Sequence, residues 1–311
     1  MLDFIVNPNS RSGQGNELFA KLQPLLDEAG VEYSVSRTKY RGHAEALTGE
    51  LCEAQLAEGA AAPRLAVLGG DGTLSEVVSG LPLDTNPILG YIPAGSGNDF
   101  SRGMDRIESP EKALGRIISP SGLRTIDAGE LTFGTEKRKR RFLVSCGCGY
   151  DAAICHEVNH SRLKVFMNRL HLGKAAFGLI GLKQVFCYKK TSGTLVVDGK
   201  DPVRINNIAF ISCHNLPYEG GGWPFAPDAR PDDGYLNLSI YAPKHRLTFM
   251  RALLASKKHA QTDYEGIQLI TCREAKLTLD TPLVTHTDGE IMGQFRDFEI
   301  RALPSCLQLL E

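Results

Sequence analysis

The chain reads Leu65-Ala66-Val67-Leu68-Gly69-Gly70-Asp71-Gly72-Thr73 within its first quarter. Apolar residues follow this stretch at helical spacing, so it predicts a buried strand, a tight turn and the start of a helix. Glycines let the backbone come close to a ligand, and the free N–H groups at a helix start favour phosphate. Asp71 would place a carboxylate beside that phosphate, where it could hold a magnesium ion directly or through water. An ordinary turn between a strand and a helix has a similar sequence.

Two other loops repeat this arrangement. A predicted strand at residues 2–6 runs into Asn7-Pro8-Asn9-Ser10-Arg11-Ser12-Gly13-Gln14-Gly15, and a strand at 88–92 runs into Pro93-Ala94-Gly95-Ser96-Gly97-Asn98-Asp99-Phe100. Ser10 and Arg11 could donate to a triphosphate, although turn-forming residues before a helix explain the first loop equally. Repeated strand–helix units predict a parallel, doubly wound α/β sheet with its ligand crevice beyond the carboxyl ends of the strands.

Composition places the chain among ordinary globular proteins. Its 311 residues allow two domains, 42% are hydrophobic, and the net charge of -1 gives no global case for nucleic-acid binding. The eight cysteines form no CxxC pair, which favours reduced thiols in a cytoplasmic protein. The N-terminus resembles a first strand and not a signal peptide, and no apolar run is long enough to span a membrane.

The pattern changes after the helix predicted near residues 110–118. Short alternating segments predict an antiparallel, sandwich-like second domain. We therefore expect a nucleotide-binding α/β domain at 1–122 and a β-rich domain at 123–311. The predicted strands of the second domain are Thr125–Phe133, Arg141–Cys146, Gly193–Val197, Val203–Ser212, Tyr235–Tyr241, Gln268–Leu279 and Phe295–Ala302.

Two acidic stretches of the second half could carry chemistry. Pro227–Tyr235 contains three carboxylates in a turn, which suits either a hard cation or a polar approach to a hairpin. In Thr285-His286-Thr287-Asp288-Gly289-Glu290, two-residue spacing on an extended segment would point Asp288 and Glu290 to the same side. Such a pair could accept a proton from an alcohol, but Asp-Gly-Glu is also a common hairpin sequence.

The segment 161–190 is cationic and apolar. It contains two Arg, five Lys and no acidic residue, together with many large apolar side chains. Such a segment can lie on an anionic membrane surface, or it can be a core-packing helix with a solvated basic face.

These motifs together resemble the diacylglycerol kinase catalytic family, and most closely its bacterial soluble lipid kinase branch. The resemblance covers nearly the whole chain in order. It rests on Asn7-Pro8-x-Ser10, Gly69-Gly70-Asp71-Gly72-Thr73, Pro93-x-Gly95-Ser96-x-Asn98-Asp99-Phe100, Asp232-Asp233-Gly234 and Asp288-Gly289-Glu290. Three positions depart from the family pattern, namely Arg11 in place of glycine, Ser96 in place of threonine, and Asn237 where an acidic residue is common.

The resemblance implies an ATP-dependent lipid kinase that acts on diacylglycerol or a related lipid and uses Mg²⁺. Asp288 and Glu290 would be the catalytic carboxylates, with Asp71 on the metal of the nucleotide. Asp233 would bind a structural magnesium, helped by backbone oxygens of Arg230 and Tyr235. The nucleotide would be surrounded by Asn7, Ser10, Arg11, Thr38, Gly69, Gly70, Asp71, Gly72, Thr73, Ser75, Gly95 and Ser96.

Other functions remain open at this point. A kinase of a soluble alcohol such as NAD would share the glycine turn, and a non-catalytic nucleotide-sensing module could bind ATP without turnover. A dinucleotide oxidoreductase is disfavoured because no GxGxxG opens the first helix. The lipid acceptor would be membrane-borne, so we expect a cytoplasmic protein that associates reversibly with membranes. The sequence does not reveal the oligomeric state.

Overall fold

The computed structural model describes residues 1–160 and 173–311. Four parallel strands form the N-terminal half, in the spatial order β2-β1-β3-β4. The strands are β1 Leu2–Val6, β2 Tyr33–Arg37, β3 Arg64–Gly69 and β4 Ile88–Pro93. The helices of this half are α1 Ser10–Gly13, α2 Gly15–Glu28, α3 His43–Ala57, α4 Asp71–Gly80, α5 Asp99–Gly103 and α6 Pro110–Ile118.

Helices cover both faces of this parallel sheet. On one face, Val77 and Val78 of α4 pack with Ala44 of α3 in one apolar core. On the other face, Leu22 of α2 packs with Leu114 of α6 in a second core. Parallel strands buried on both faces are continuous apolar runs, as the sequence of β1 and β3 predicts. The doubly wound α/β prediction is confirmed.

The second half is mainly antiparallel. Its central path runs β12-β11-β10-β7-β13-β14, and β5, β6, β8 and β9 branch from it. The strands are β5 Leu123–Phe133, β6 Arg138–Phe142, β7 Ser145–Gly149, β8 Thr191–Val197, β9 Val203–Ile208, β10 Phe210–His214, β11 Leu236–Tyr241, β12 Ile267–Cys272, β13 Glu274–Thr287 and β14 Glu290–Leu310. The helices are α7 Tyr150–His160, α8 Gly173–Cys187 and α9 Arg246–Ser256, and 3-10 turns lie at Leu83–Thr85 and Gln261–Asp263.

The last strand joins the two halves. Along β14, Phe298 lies in the core of the second half, whereas Leu307 and Leu309 lie in a core of the first half. Near its end β14 pairs in parallel with β4, with Leu309 opposite Leu89. The described strands therefore form one continuous mixed sheet. The domain boundary at residue 122 remains a prediction.

Three of the predicted strands each fall on two strands of the structure, and the other four differ from the observed strands only in where they begin or end, most of all Phe295–Ala302, which lies inside β14. The strand predicted at Val203–Ser212 divides at Ala209, because β9 pairs with β8 whereas β10 pairs with β7 and β11. The strand predicted at Gln268–Leu279 divides at Arg273, where the chain leaves the edge beside β11 and pairs with β14. The prediction at Arg141–Cys146 spans the end of β6 and the start of β7. The alternation of apolar and polar residues along a strand does not indicate where the neighbouring strand with which it pairs changes.

The structure describes only part of the cationic segment noted at residues 161–190. Residues 161–172 lie outside the described residues, and α8 begins at Gly173. Every helix in the part of the chain that the structure describes is too short or too polar to cross a bilayer.

Candidate active site

The carboxyl ends of β1, β3 and β4 meet at one edge of the parallel sheet. The side-chain amide of Asn7, after β1, donates to the hydroxyl of Thr73 at 2.8 Å. The N–H of Ala94, after β4, donates to the carbonyl of Gly69 at 2.7 Å. The structure therefore brings the three predicted glycine loops together. This follows from strand direction, because parallel strands end at the same edge.

The second and third loops approach each other too closely for side chains. A Cβ atom built on Gly95 would lie 2.7 Å from the Cα atom of Gly70. Gly70 also precedes α4, whose first N–H groups have no partner within the helix. A backbone-lined cradle at a helix start fits the phosphate chain of a nucleotide.

The other predicted nucleotide residues lie around this cradle. Ser10 donates its hydroxyl to the carbonyl of Asn7 at 2.8 Å, and Thr38 donates its N–H to the carbonyl of Val6 at 3.0 Å. Ser96 is exposed on the third loop, and Ser75 is buried in α4. Their contacts with a nucleotide remain predictions.

Arg11 has a left-handed backbone with φ of 53°, and its N–H donates to the carbonyl of Ala94 at 3.0 Å. A glycine would adopt this conformation without strain, so the arginine at this position is held in a backbone conformation that favours glycine. Hydrogen bonds from the backbone N–H of Glu111 itself and from the Ser109 hydroxyl lower the pKa of Glu111, and the positive charge of Arg11 adds a smaller effect in the same direction.

Asp71 links the glycine turn to the start of α5. One carboxylate oxygen accepts the N–H of Asp99 at 3.0 Å, and the other accepts the N–H of Phe100 at 3.2 Å. Desolvation and the nearby Asp99 raise the pKa of Asp71 to about 7. An added cation would relieve this concentration of negative charge, so the site fits the predicted metal role, which remains a prediction.

Asp288 and Gly289 form the two-residue turn between β13 and β14. Both have positive φ angles, 47° and 79°, and Thr287 pairs with Glu290 across the hairpin. An Asp-Gly pair suits a turn that needs positive φ at both central positions. The expectation that Asp288 and Glu290 share one side of an extended strand was therefore wrong, and the hairpin alternative is confirmed.

The carboxylate of Asp288 is held by the backbone of the segment between β6 and β7. It accepts the N–H groups of Val144 at 2.9 Å, Ser145 at 3.0 Å and Leu143 at 3.1 Å. Burial raises the pKa of Asp288 to about 6, while these hydrogen bonds act in the opposite direction. Most of its acceptor positions are occupied, since a carboxylate offers about four.

Glu290 lies beside the glycine turn. A Cβ atom built on Gly72 would lie 2.7 Å from Oε1 of Glu290, while Oε2 forms an ion pair with Arg41. The side chain of Glu290 is 32% exposed, so it faces the cleft and not the core. The acidic hairpin and the phosphate cradle thus line one cleft. Sequence reasoning missed Arg41, because a lone arginine between a strand and a helix carries no local signal.

A buried trio beneath the hairpin was also missed. Nε2 of His286 lies 3.1 Å from Oδ2 of Asp151 and 3.3 Å from Oε1 of Glu219. Nδ1 of His286 lies 3.3 Å from the backbone nitrogen of Gly289. Although burial lowers the pKa of His286, the carboxylates of Glu219 and Asp151 raise it to about 9, so Nε2 carries a proton between them. A metal bound at Nε2 would have to displace this proton. Burial raises the pKa of Glu219 to about 7, so the trio fits a proton-sharing network better than a metal centre.

The predicted structural metal turn lies near the junction of the two halves. Asp233 accepts the N–H of Tyr235 at 2.9 Å, and the N–H of Gly234 donates to buried Asp127 at 2.7 Å. Burial and the nearby carboxylate of Asp233 raise the pKa of Asp127, so local negative charge is available to a cation. The guanidinium of Arg230 is positively charged and cannot bind a cation, so only the backbone oxygen of this exposed residue could be a metal ligand. Binding of magnesium by Arg230, Asp233 and Tyr235 remains a prediction.

Asn237, the departure noted after this turn, lies on β11. Its side-chain oxygen accepts the hydroxyl of Thr271 at 3.1 Å. The amide therefore joins two antiparallel strands.

Comparison with known proteins identifies both halves. The family described as "Diacylglycerol kinase catalytic domain" matches residues 2–131, and the family described as "YegS C-terminal NAD kinase beta sandwich-like domain" matches residues 144–311. A protein of Chromohalobacter salexigens named "Probable lipid kinase YegS-like" is 30% identical, over 91% of this chain and 85% of its own length. The diacylglycerol kinase of Bacillus subtilis is 29% identical, over 93% of this chain and 89% of its own.

A solved structure has the same fold. The crystal structure titled as a diacylglycerol kinase from Bacillus anthracis superimposes with a TM-score of 0.69 at 19% identity, over 99% of this chain and 96% of that chain. The predicted combination of an α/β domain with a β-rich domain is thereby confirmed.

Proposed function

The chain belongs to the diacylglycerol kinase catalytic family, in the branch with a YegS-type C-terminal domain, and we propose that it transfers the γ-phosphate of ATP to a lipid hydroxyl. Membership in a kinase family makes it a phosphotransferase. The observation that carries the finer proposal is the contact between Gly72 and Glu290. This contact would place a proton acceptor beside the backbone that would bind the phosphates. Phosphoryl transfer depends mainly on such positioning of the nucleophile's base relative to the phosphate.

The nucleotide lies with its phosphates on the N–H groups of the turn at residues 69–73. Asn7, Ser10, Arg11, Thr38, Ser75, Gly95 and Ser96 border it. Asp71 would hold the magnesium ion of the nucleotide, and Asp233 a second, structural one with the backbone oxygens of Arg230 and Tyr235. Bound magnesium neutralises phosphate charge.

Glu290 accepts the proton of the acceptor hydroxyl. The hydroxyl oxygen bonds to the γ-phosphorus, the bond between that phosphorus and the bridging oxygen breaks, and ADP leaves. Asp288 supports this step by holding the turn, since its oxygens are occupied by three backbone N–H groups. Glu290 has the more exposed carboxylate of the two, and this supports its assignment as the base.

The lipid is presented at a membrane surface, to which the chain binds peripherally. Large apolar side chains are exposed on α8 and α9, including Phe186 at 63% and Leu254 at 59%. The guanidinium of Arg246 donates to the carbonyl of Val185 at 2.7 Å, so the two helices meet at this surface. We call the exposed side chains of Leu182 and Phe186 on α8, together with those of Leu247 and Leu254 on α9, the apolar patch.

A transfer assay tests the proposed function. Radiolabelled ATP is supplied with diacylglycerol micelles, with a panel of other lipids, and with NAD. We expect label in lipid, and Glu290→Gln should lower kcat by about 10²- to 10⁴-fold, the usual contribution of a general base. Glu299→Gln is the matched control, because Glu299 lies on the same strand but pairs with exposed Lys137.

Three results would contradict the proposal. Label in NAD alone would favour a soluble acceptor, and bound nucleotide without turnover on any lipid would favour a sensing module. Wild-type kcat in Glu290→Gln would exclude Glu290 as the base.

A further inference from the structure

Arg41 lies in the loop between β2 and α3, on the nucleotide side of the cleft. The N–H of Thr38 binds the carbonyl of Val6 at 3.0 Å, and the N–H of Gly42 binds the carboxylate of Glu76 at 2.8 Å. The backbone on either side of Arg41 is therefore fixed. Its side chain is 64% exposed, so most of it lies in solvent and little packing holds it in one position.

The guanidinium reaches across the cleft to the acidic hairpin. Nη2 of Arg41 forms an ion pair with Oε2 of Glu290 and donates to the carbonyl of Ile291 at 3.3 Å. The other oxygen of Glu290 faces the backbone of Gly72. The carboxylate of Glu290 therefore lies between Arg41 and the glycine turn at residues 69–73, where the phosphates are proposed to bind.

We propose that Arg41 is a switching cation, which pairs with Glu290 before ATP binds and moves to the γ-phosphate when it does. This inference rests on the proposed function. The move leaves the oxygens of Glu290 free to accept the proton of the acceptor hydroxyl. Arg41 keeps its charge throughout, and only its ionic partner changes.

The exchange is energetically reasonable. An exposed ion pair contributes little net free energy, because solvent screens the two charges. A guanidinium can bind phosphate through two parallel charge-assisted hydrogen bonds, and a triphosphate has more negative charge than one carboxylate. The guanidinium would also stabilise charge on the transferring group, as arginines do in other phosphotransferases.

Neighbouring arginines are less suited to this role. Arg102 lies 3.7 Å from Asp99 and is largely covered by the loop at Gly222. Arg11 is near Glu111, on the side of α6. Of these three side chains, Arg41 is the one whose acidic partner itself contacts the glycine turn.

The switch would impose an order on the reaction. While Arg41 occupies Glu290, an acceptor hydroxyl cannot form its hydrogen bond to that carboxylate. Arrival of the nucleotide removes the obstruction, so proton acceptance follows ATP binding.

Calorimetry with a non-hydrolysable ATP analogue and with ADP, each with Mg²⁺, tests the switch. Arg41→Gln should weaken binding of the analogue about tenfold, which corresponds to the loss of one charge-assisted contact, and should change the Kd for ADP less than about twofold. Arg41→Lys should be intermediate in both analogue binding and kcat, because an ammonium keeps the charge but not the two-bond geometry. Arg204→Gln is the matched control, since Arg204 forms a similarly exposed pair with Asp280 away from the cleft.

Equal effects of Arg41→Gln on the analogue and on ADP, or no effect on either, would overturn the switch. A wild-type chain that binds neither nucleotide would instead overturn the proposed function, on which the switch rests.

A double-mutant cycle separates the switch from simple repulsion between Glu290 and phosphate. Glu290→Gln removes the competitor for Arg41 and should tighten analogue binding about threefold, a coupling at the lower end of the usual range. The gain should vanish in the Arg41→Gln background. An equal gain in both backgrounds would mean direct repulsion and would overturn the inference.

Discussion

At the scale of single residues, the environments of the carboxylates distinguish their roles. Asp71 receives two backbone N–H groups and Asp288 receives three, so each carboxylate holds a neighbouring backbone segment in place. Glu290 is partly exposed to the cleft and is paired with the exposed side chain of Arg41. Replacement of Asp71 or Asp288 should therefore affect folding as well as transfer, whereas replacement of Glu290 should affect transfer alone.

Asp288→Asn should make stability less dependent on pH. The pKa of Asp288 is raised from 3.8 to about 6, so the folded chain holds the proton more tightly than the unfolded chain does. Its contribution to stability is present at low pH and is lost as the pH rises from about 4 to about 6. We expect the free energy of unfolding of the wild type, relative to the variant, to fall by at most roughly 3 kcal/mol over that interval. Urea unfolding at pH 4, 5, 6 and 7 measures this, and parallel curves for the two proteins would contradict it.

At the scale of elements, the cleft is built from the start of α4 and the hairpin between β13 and β14. Neither element carries the chemistry alone, since α4 supplies N–H groups and the hairpin supplies a carboxylate. Gly72 is the point of contact, and only hydrogen at this position leaves room for Glu290.

Gly72→Ala should lower kcat at least about tenfold with little change in stability. The new Cβ atom would meet the far end of the flexible Glu290 side chain, 2.7 Å away, so Glu290 moves while the helix stays intact. Alanine is also the better helix former, by about 1 kcal/mol. Transfer assays and thermal unfolding measure the two effects.

Gly115→Ala is the matched control, because Gly115 lies in α6 with open space where the Cβ atom would be. It should stabilise the chain slightly and leave kcat unchanged. If Gly72→Ala kept the wild-type kcat, the contact with Glu290 would not matter to the reaction.

At the scale of the whole molecule, β14 makes the two halves depend on each other. The same strand leaves the acidic hairpin at Glu290 and ends beside β4 in the parallel sheet. The position of Glu290 relative to the phosphate cradle is therefore fixed by sheet pairing at both ends of one strand.

The apolar patch should govern access to membrane-borne lipid. The double variant Phe186→Ser, Leu254→Ser should bind vesicles of anionic phospholipid at least about tenfold more weakly, because burial of each such side chain contributes about 1.5–3 kcal/mol. Activity on a short-chain acceptor below its micelle concentration should not change. Vesicle co-sedimentation measures binding. Val203→Ser is the control, since Val203 is 59% exposed on β9. Equal vesicle binding by wild type and double variant would exclude the patch as the docking surface.

The sequence by itself determined the local elements and the three glycine loops. Apolar runs that end in glycine turns are short-range patterns, and parallel strands bring such turns to one edge wherever the remaining chain goes. The bounds of β1 and α6 follow from these patterns without correction. The family motifs also singled out Asp288 and Glu290, although not their separate roles.

Only the tertiary structure decided which groups meet. The backbone donors of Asp288 lie more than 140 residues before it, and Arg41 contacts the carbonyl of Ile291 from 250 residues away. The buried trio at His286 and the return of β14 to β4 are equally non-local. The alternation of apolar and polar residues shows which side chains of a strand share a face, but it does not show which strand lies beside it. Contacts that depend on strand pairing could therefore not be predicted from the sequence.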